Sequence, residues 1–215
     1  MIIDQDNVYD FIQENSLFLK SMNISRIDYI PDHINYLYCN DNNLTELPDL
    51  PPNLLILECQ NNYLDHLPEL PDNLITLDCG NNDLKCLNLP DSLEFLICDR
   101  NELIHINIPQ NITYLYCSNN KLTKLTNLPK KLKELNCSHN LLTDLKISNL
   151  NLKTLYCNNN NFDEFKFKLP KRLITLNGLG FDNKGKLSDY IKVYNNKVTL
   201  EKRRKIINKI KNEFR

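Results

Sequence analysis

Seven cysteines, Cys39, Cys59, Cys79, Cys98, Cys117, Cys137 and Cys157, stand 19 or 20 residues apart. Three residues after each comes an asparagine: Asn42, Asn62, Asn82, Asn101, Asn120, Asn140 and Asn160. Eight residues before comes Pro31, Pro51, Pro71, Pro90, Pro109 or Pro129, with Asn149 as the exception. Three registers kept over seven units mark an internal repeat, and a period near twenty restricts the chain to a stack of short units. A unit that short cannot bury its apolar face alone. The fold is therefore a solenoid in which each coil covers the next.

Within one unit, Leu54-Leu55-Ile56-Leu57-Glu58-Cys59 reads as a short strand. Period-two alternation points Leu57 and Cys59 inward and Ile56 and Glu58 outward. Asn62 sits where the chain leaves the strand, and a buried amide there bonds backbone groups that the turn leaves unpaired. Leu64, Leu67 and Leu70 close the core from the return side. All ten prolines fall in return segments or just before a strand, where a residue without an N–H does least harm to a ladder. Returns such as TELPDLP are too short for a useful helix and are expected to be extended.

The pattern LxxLxCxxNxL, seen at Leu54, Leu57, Cys59, Asn62 and Leu64, resembles the leucine-rich repeat family. The LPxLPxxLxxL prefix, seen at Leu47, Leu50, Leu54 and Leu57, is similar to the short proline-containing class of secreted bacterial effectors. Cysteine stands where that class usually has an aliphatic residue. The low-Gly, Asn-, Lys- and Ile-rich composition also resembles leucine-rich repeat proteins of large DNA viruses and amoeba-associated bacteria. The likeness covers residues 24–183. It implies an α/β-type solenoid, a right-handed superhelix with about eight short parallel strands on the concave face and extended convex segments.

The ends lie outside the repeat. In residues 1–23, Val8, Phe11, Ile12, Phe18, Leu19 and Met22 recur at helical spacing with Asp6 as N-cap, predicting an N-terminal helical cap. The last unit keeps Pro170, Leu173 and Leu176 but puts Gly178 in the cysteine place and Phe181 in the asparagine place. Residues 184–215 read as a C-terminal cap, with a basic amphipathic helix over 199–214, Thr199 as its N-cap and Ile206, Ile207, Ile210 and Phe214 on one face. This end carries 11 basic against 3 acidic residues, a net +8, while residues 1–183 carry a net −9.

No apolar run approaches the roughly 18 residues of a membrane span. The start, MIIDQDNVYDF, has acids where a secretory signal carries a basic stretch. Eight cysteines in such a chain read as reduced, in an intracellular compartment. The column cysteines read as small core hydrophobes, with neither the C-x-x-C spacing nor the histidine column of a zinc site. Cys86, in a return segment, is the thiol expected to be reachable. His33, His66, His105 and His139 occupy different places in different units, and no G-x-S-x-G, P-loop or H-E-x-x-H pattern occurs. Some effectors with this class of repeat carry a ubiquitin-ligase domain after the repeats, but residues 184–215 hold no cysteine, so that activity is not carried over. The expectation is a non-enzymatic chain without cofactor, metal or small-molecule substrate.

The outward strand positions carry the functional signal. Tyr36, Tyr38, Ile56, Glu58, Asp78, Phe95, Ile97, Asp99, Tyr114, Tyr116 and Tyr156 form the candidate partner-binding surface. Aromatic and aliphatic side chains beside carboxylates are typical interface anchors, although Tyr and Ile also simply suit strands. They predict a protein partner, of unidentified nature, that offers a basic and apolar segment to the concave face. A structural or regulatory scaffold without a specific ligand is the second reading. The third is a nucleic-acid or membrane-surface binder through Lys202, Arg203, Arg204 and Lys205. That run is more simply the solvated face of the terminal helix, and the acidic strand face disfavours nucleic acid.

Overall fold

The computed structural model describes residues 1–147, 150–162 and the strand 175–177. The strands are β1 (Ile2–Ile3), β2 (Ile12–Gln13), β3 (Ser16–Phe18), β4 (Arg26–Ile27), β5 (Tyr36–Tyr38), β6 (Ile56–Glu58), β7 (Thr76–Asp78), β8 (Phe95–Ile97), β9 (Tyr114–Tyr116), β10 (Glu134–Asn136), β11 (Thr154–Tyr156) and β12 (Thr175–Asn177). One 3-10 turn, Val8–Phe11, is the single helical element among the described residues. Strands β5 to β12 run parallel as one sheet, extended by β3 and closed by an antiparallel β2. These eight parallel strands, one per coil, are those the repeat predicts, and the described returns between them hold no regular helix.

Register follows the leucines. Leu37 lies beside Leu57, Leu57 beside Leu77, Leu77 beside Leu96, Leu96 beside Leu115, and so on to Leu155. All are fully buried, as are the seven column cysteines. Each fully buried leucine contributes about 1.5–3 kcal/mol by leaving water, so the ladder is the main cohesive term between coils. Burial also pushes every column thiol up, Cys39 to about 12 and Cys98 well above its ordinary value, which keeps them protonated and inert. Cys86 alone among the eight is exposed.

The asparagines stitch one coil to the one before. Asn82 donates from Nδ2 to the carbonyls of Cys59 and Cys79, both at 3.1 Å, and accepts from the Leu64 N–H at 3.0 Å. Cys59 and Leu64 belong to the preceding coil. The arrangement recurs from Asn42 to Asn160, and it is why an amide, with donor and acceptor on one short stem, holds this place. The residue just before each of these asparagines takes a left-handed conformation: Asp41, Asn61, Asn81, Arg100, Asn119, His139 and Asn159, with φ between 52° and 59°. Asn, Asp and His are the side chains found most often in that region; Arg adopts it at a cost.

The N-terminal segment departs from the sequence expectation. It is not a helical cap: β3 pairs in register with β5, Leu17 beside Leu37, and Leu19 takes the cysteine place by donating its N–H to Tyr38 O at 2.8 Å. Asn7, not Asp6, flanks the short turn, and its side chain makes no capping bond. The physical reason is the free edge of β5. A strand satisfies its N–H and C=O groups, whereas a helix laid over the end does not. Left-handed backbone at Glu14, Ser21 and Asn23 also interrupts any helix through this stretch. The helix expected over 199–214 lies outside the described residues, as do Asn149, Pro170, Leu173, Gly178 and Phe181.

Candidate functional site

The outer face of the sheet carries three columns of side chains. The first reads Tyr36, Ile56, Thr76, Phe95, Tyr114, Glu134, Thr154. The second reads Tyr38, Glu58, Asp78, Ile97, Tyr116, Asn136, Tyr156, and Phe18 precedes it on β3. The third, just past the strands, reads Asn40, Gln60, Gly80, Asp99, Ser118, Ser138 and Asn158. Period two sets the two strand columns, and most of their members are half-buried because each leans on the same place in the next coil.

Two aromatic groups bracket an acidic gap. At one end the rings of Phe18 and Tyr38 stack, centroids 5.2 Å apart and planes within 7°. At the other, Phe95 and Tyr114 stack at 4.1 Å, with Lys133 Nζ 5.5 Å from the Tyr114 centroid. Tyr116 donates its hydroxyl to Glu134 Oε2 at 2.8 Å; burial and that carboxylate raise the phenol to about 12. Tyr156 stands apart from this group, two strands beyond Tyr116 with Asn136 between.

Glu58 and Asp78 are cross-strand neighbours in the gap, and Asp99 lies beside it in the third column. Asp78 turns back so that Oδ1 accepts from the Gly80 N–H at 3.1 Å, while the Asp99 carboxylate accepts from the Ser118 N–H. A Cβ at Gly80 would sit 3.3 Å from Asp99 O and 3.4 Å from Asp78 Oδ1, so glycine relieves a close contact here, although Ser138 makes the same bond to Asn136 Oδ1 at 3.2 Å in a later coil. Burial, with Glu58 and Asp99 near, lifts Asp78 to about 6, and burial raises Asp99 too.

Sequence reasoning placed these side chains outward but missed Phe18, which it assigned to a helix. Asn40 and Gln60, which alternation also places outward, were not among the candidate site residues; their amide oxygens are buried without a donor among the described residues. Lys202, Arg203, Arg204 and Lys205 lie outside the described residues. Among the described residues, no cluster of three or more His, Cys, Asp or Glu could hold a metal ion, and no helix is long and apolar enough to cross a membrane.

No protein-family model and no curated protein matches the chain. Solved structures do. YopM from Yersinia pestis, a leucine-rich effector protein, is 30% identical over 80% of this chain and 61% of its own, with a TM-score of 0.67. YopM from Yersinia enterocolitica is 27% identical over 73% of this chain and 40% of its own, with a TM-score of 0.58. This chain therefore spans less than two thirds of either. The functional domain of InlJ from Listeria monocytogenes, which includes a cysteine ladder, shares the fold at 24% identity and a TM-score of 0.54, over 77% of this chain and 53% of its own.

Proposed function

From the premise that this chain is a leucine-rich repeat protein, we propose that it is a protein-recognition module whose partner docks on the outer, concave face of the sheet. One observation carries the reading. The inward columns repeat the same residue coil after coil, while the outward columns change from coil to coil and collect aromatic groups around a carboxylate gap. Phe95 and Tyr116 do touch the next coil, through Tyr114 and Glu134, but other coils stack without an aromatic residue at either place. A solvated face would hold dull polar residues, and paired aromatics beside desolvated charge are what a partner's anchors bury against.

The trough has apolar walls, Tyr36, Tyr38 and Ile56 on one side, Phe95, Ile97, Tyr114 and Tyr116 on the other, and a negative centre at Glu58, Asp78 and Asp99. It suits a segment that offers a basic side chain between apolar ones. In this reading residues 24–183 do the recognising and residues 1–23 and 184–215 cover the ends. Eight free thiols suit a reducing, intracellular compartment, and the chain performs no catalysis.

The test is affinity capture with the full chain, wild type against Phe95→Ala with Tyr116→Ala. The double variant should keep the circular dichroism of the wild type and lose the captured partner. Charge reversal at Glu58 and Asp78 should slow association and blunt its salt dependence. Capture of the same partner, undiminished, by all of these variants would move attention to the convex returns.

A further inference from the structure

One rim of the solenoid sorts its charges by sign. Where each return turns into its strand, the residue just before the strand reads Asn35, Leu55, Ile75, Glu94, Thr113, Lys133 and Lys153 from coil to coil. Each N–H in this series donates to the carbonyl one coil back at 2.7 to 2.9 Å, from Leu55 on Asn35 to Lys153 on Lys133, so the residues form one row. A second row, one residue past each proline, reads Asp32, Pro52, Asp72, Asp91, Gln110 and Lys130, all exposed. Ahead of the Gln110 coil the two rows hold Asp32, Asp72, Asp91 and Glu94 and no base. Beyond it, among the described residues, they hold Lys130, Lys133 and Lys153 and no acid.

These charges are not spent inside the chain. The ion pairs among the described residues, Lys20 with Asp41, Arg26 with Asp28, His66 with Asp65 and Lys121 with Glu102, all lie off the rim. The rim also repeats at close range the polarity of the whole stack. Residues 1–110 carry 4 basic against 19 acidic residues, a net −15, whereas residues 111–162 carry 7 against 2, a net +5. The neutral Gln110 and Thr113 stand midway. One coil before them are Asp91 and Glu94, and one coil after are Lys130 and Lys133. Two coils before is Ile75, 41% exposed, and two coils after is Lys153. A row that reverses its sign about a neutral centre is complementary to itself turned end for end.

We propose that this rim is the interface of an antiparallel homodimer, with the twofold axis along the coil of Gln110 and Thr113. In such an isologous contact residue i meets residue j and j meets i. Glu94 then faces Lys133 of the second copy and Asp91 faces Lys130, each pair occurring twice. Ile75 receives the aliphatic stem of Lys153, whose charged end stays in water. Gln110 and Thr113 meet their own copies, which costs no charge. Two copies laid parallel would set like charges against each other in every coil, so charge selects the antiparallel pair. A partner of one sign throughout is repelled by half of the rim. The inference stands apart from the reading of the sheet face.

The experiment is sedimentation velocity on the full chain. Exposed ion pairs over a narrow rim make a weak dimer, so it should appear at about 0.1 mM chain in low salt. Raising the salt to about 0.5 M should dissolve it. Glu94→Lys alone and Lys133→Glu alone should each weaken association at least about tenfold, because each opposes like charges at two symmetric places. Mixed in equal amounts, the two variants should recover the dimer. In the mixed pair the introduced lysine faces the introduced glutamate, and the native Lys133 of one chain faces the native Glu94 of the other. That recovery also shows that both variants are folded. A chain that stays monomeric at low salt, a dimer that survives high salt, a dimer indifferent to either reversal, or a mixture no better than its components would each overturn the antiparallel rim.

Discussion

Inside the coil, seven units carry the same leucine, cysteine and asparagine; outside, no two neighbouring units carry the same pair of strand residues. Leu37 to Leu155 each pair in register with a copy of themselves in the adjoining coil, so the same solution serves every time. Tyr36/Tyr38, Ile56/Glu58, Thr76/Asp78 and Phe95/Ile97 meet no such demand. Uniformity marks where the chain must fit itself, and variety marks where it is free to fit something else.

The sharpest way to test that division is chemical. Seven thiols belong to the inside and Cys86 to the outside. With a thiol reagent, native protein should modify Cys86 at once. The column cysteines should react only through opening, slower by a factor of about a thousand or more for an ordinary stability. Fast native labelling of several column cysteines, read by mass spectrometry, would dissolve the distinction.

Cutting a cavity on the inside comes next. Leu96→Ala, at the middle of the ladder, should cost about 2–5 kcal/mol, while the adjacent outward Phe95→Ala should cost about 0.5–1.5 kcal/mol from its stack on Tyr114. Urea unfolding of both variants checks the ratio; equal losses would mean the outward face is also structural. Asn101→Ala should follow at about 1–3 kcal/mol. It strips the Leu84 N–H of its 3.0 Å acceptor and the Cys79 carbonyl of its 3.0 Å donor. A variant as stable as wild type in the same unfolding series would deny the asparagine its latch.

Asp78 tests the outside by pH. Its carboxyl is raised to about 6 in the fold from an ordinary 3.8. The folded chain therefore keeps a proton that the unfolded chain gives up, and this group's contribution to stability falls as pH rises from about 4 to about 6. Asp78→Asn keeps an acceptor for the Gly80 N–H and should remove that slope. The gain at neutral pH should be smaller than the full shift implies, because the side chain is partly open to solvent. Unfolding midpoints across the window decide it; an unchanged slope would place the proton elsewhere. The smallest effect belongs to Arg100, left-handed at φ 55° where other coils mostly use Asn or Asp. Arg100→Asn should raise stability by about 0.5–1 kcal/mol, visible as a higher melting temperature, and a loss would mean the guanidinium has a role in the turn.

The inner columns were legible because period and residue type repeat together. The N-terminal coil was not, because its markers are gone: Leu19 stands for cysteine and Met22 for asparagine, and only the edge of β5 reveals that Leu17 pairs with Leu37. Helical spacing of Val8, Phe11 and Ile12 competed with that weak alternation and lost to the pairing of backbone groups. On the outer face, alternation gave the direction of each side chain but not its partner. Tyr116 and Glu134 sit in different columns, and their bond depends on rotamers that no spacing encodes. The orphaned oxygens of Asn40 and Gln60 were likewise invisible, since only a packed neighbourhood decides which amide atom is left unserved.

The asparagine latch points one way. Asn62 serves the Cys39 carbonyl and the Leu44 N–H of the coil before it, never the coil after. A coil emerging from the ribosome is therefore unfinished until the next has been made, a wait of about 1–4 s for twenty residues at ordinary synthesis rates. Completion runs as a wave toward the C-terminus, one coil behind the nascent end. Shortening the chain from the front removes only coils that have already been served, whereas shortening it from the back always strands one that has not.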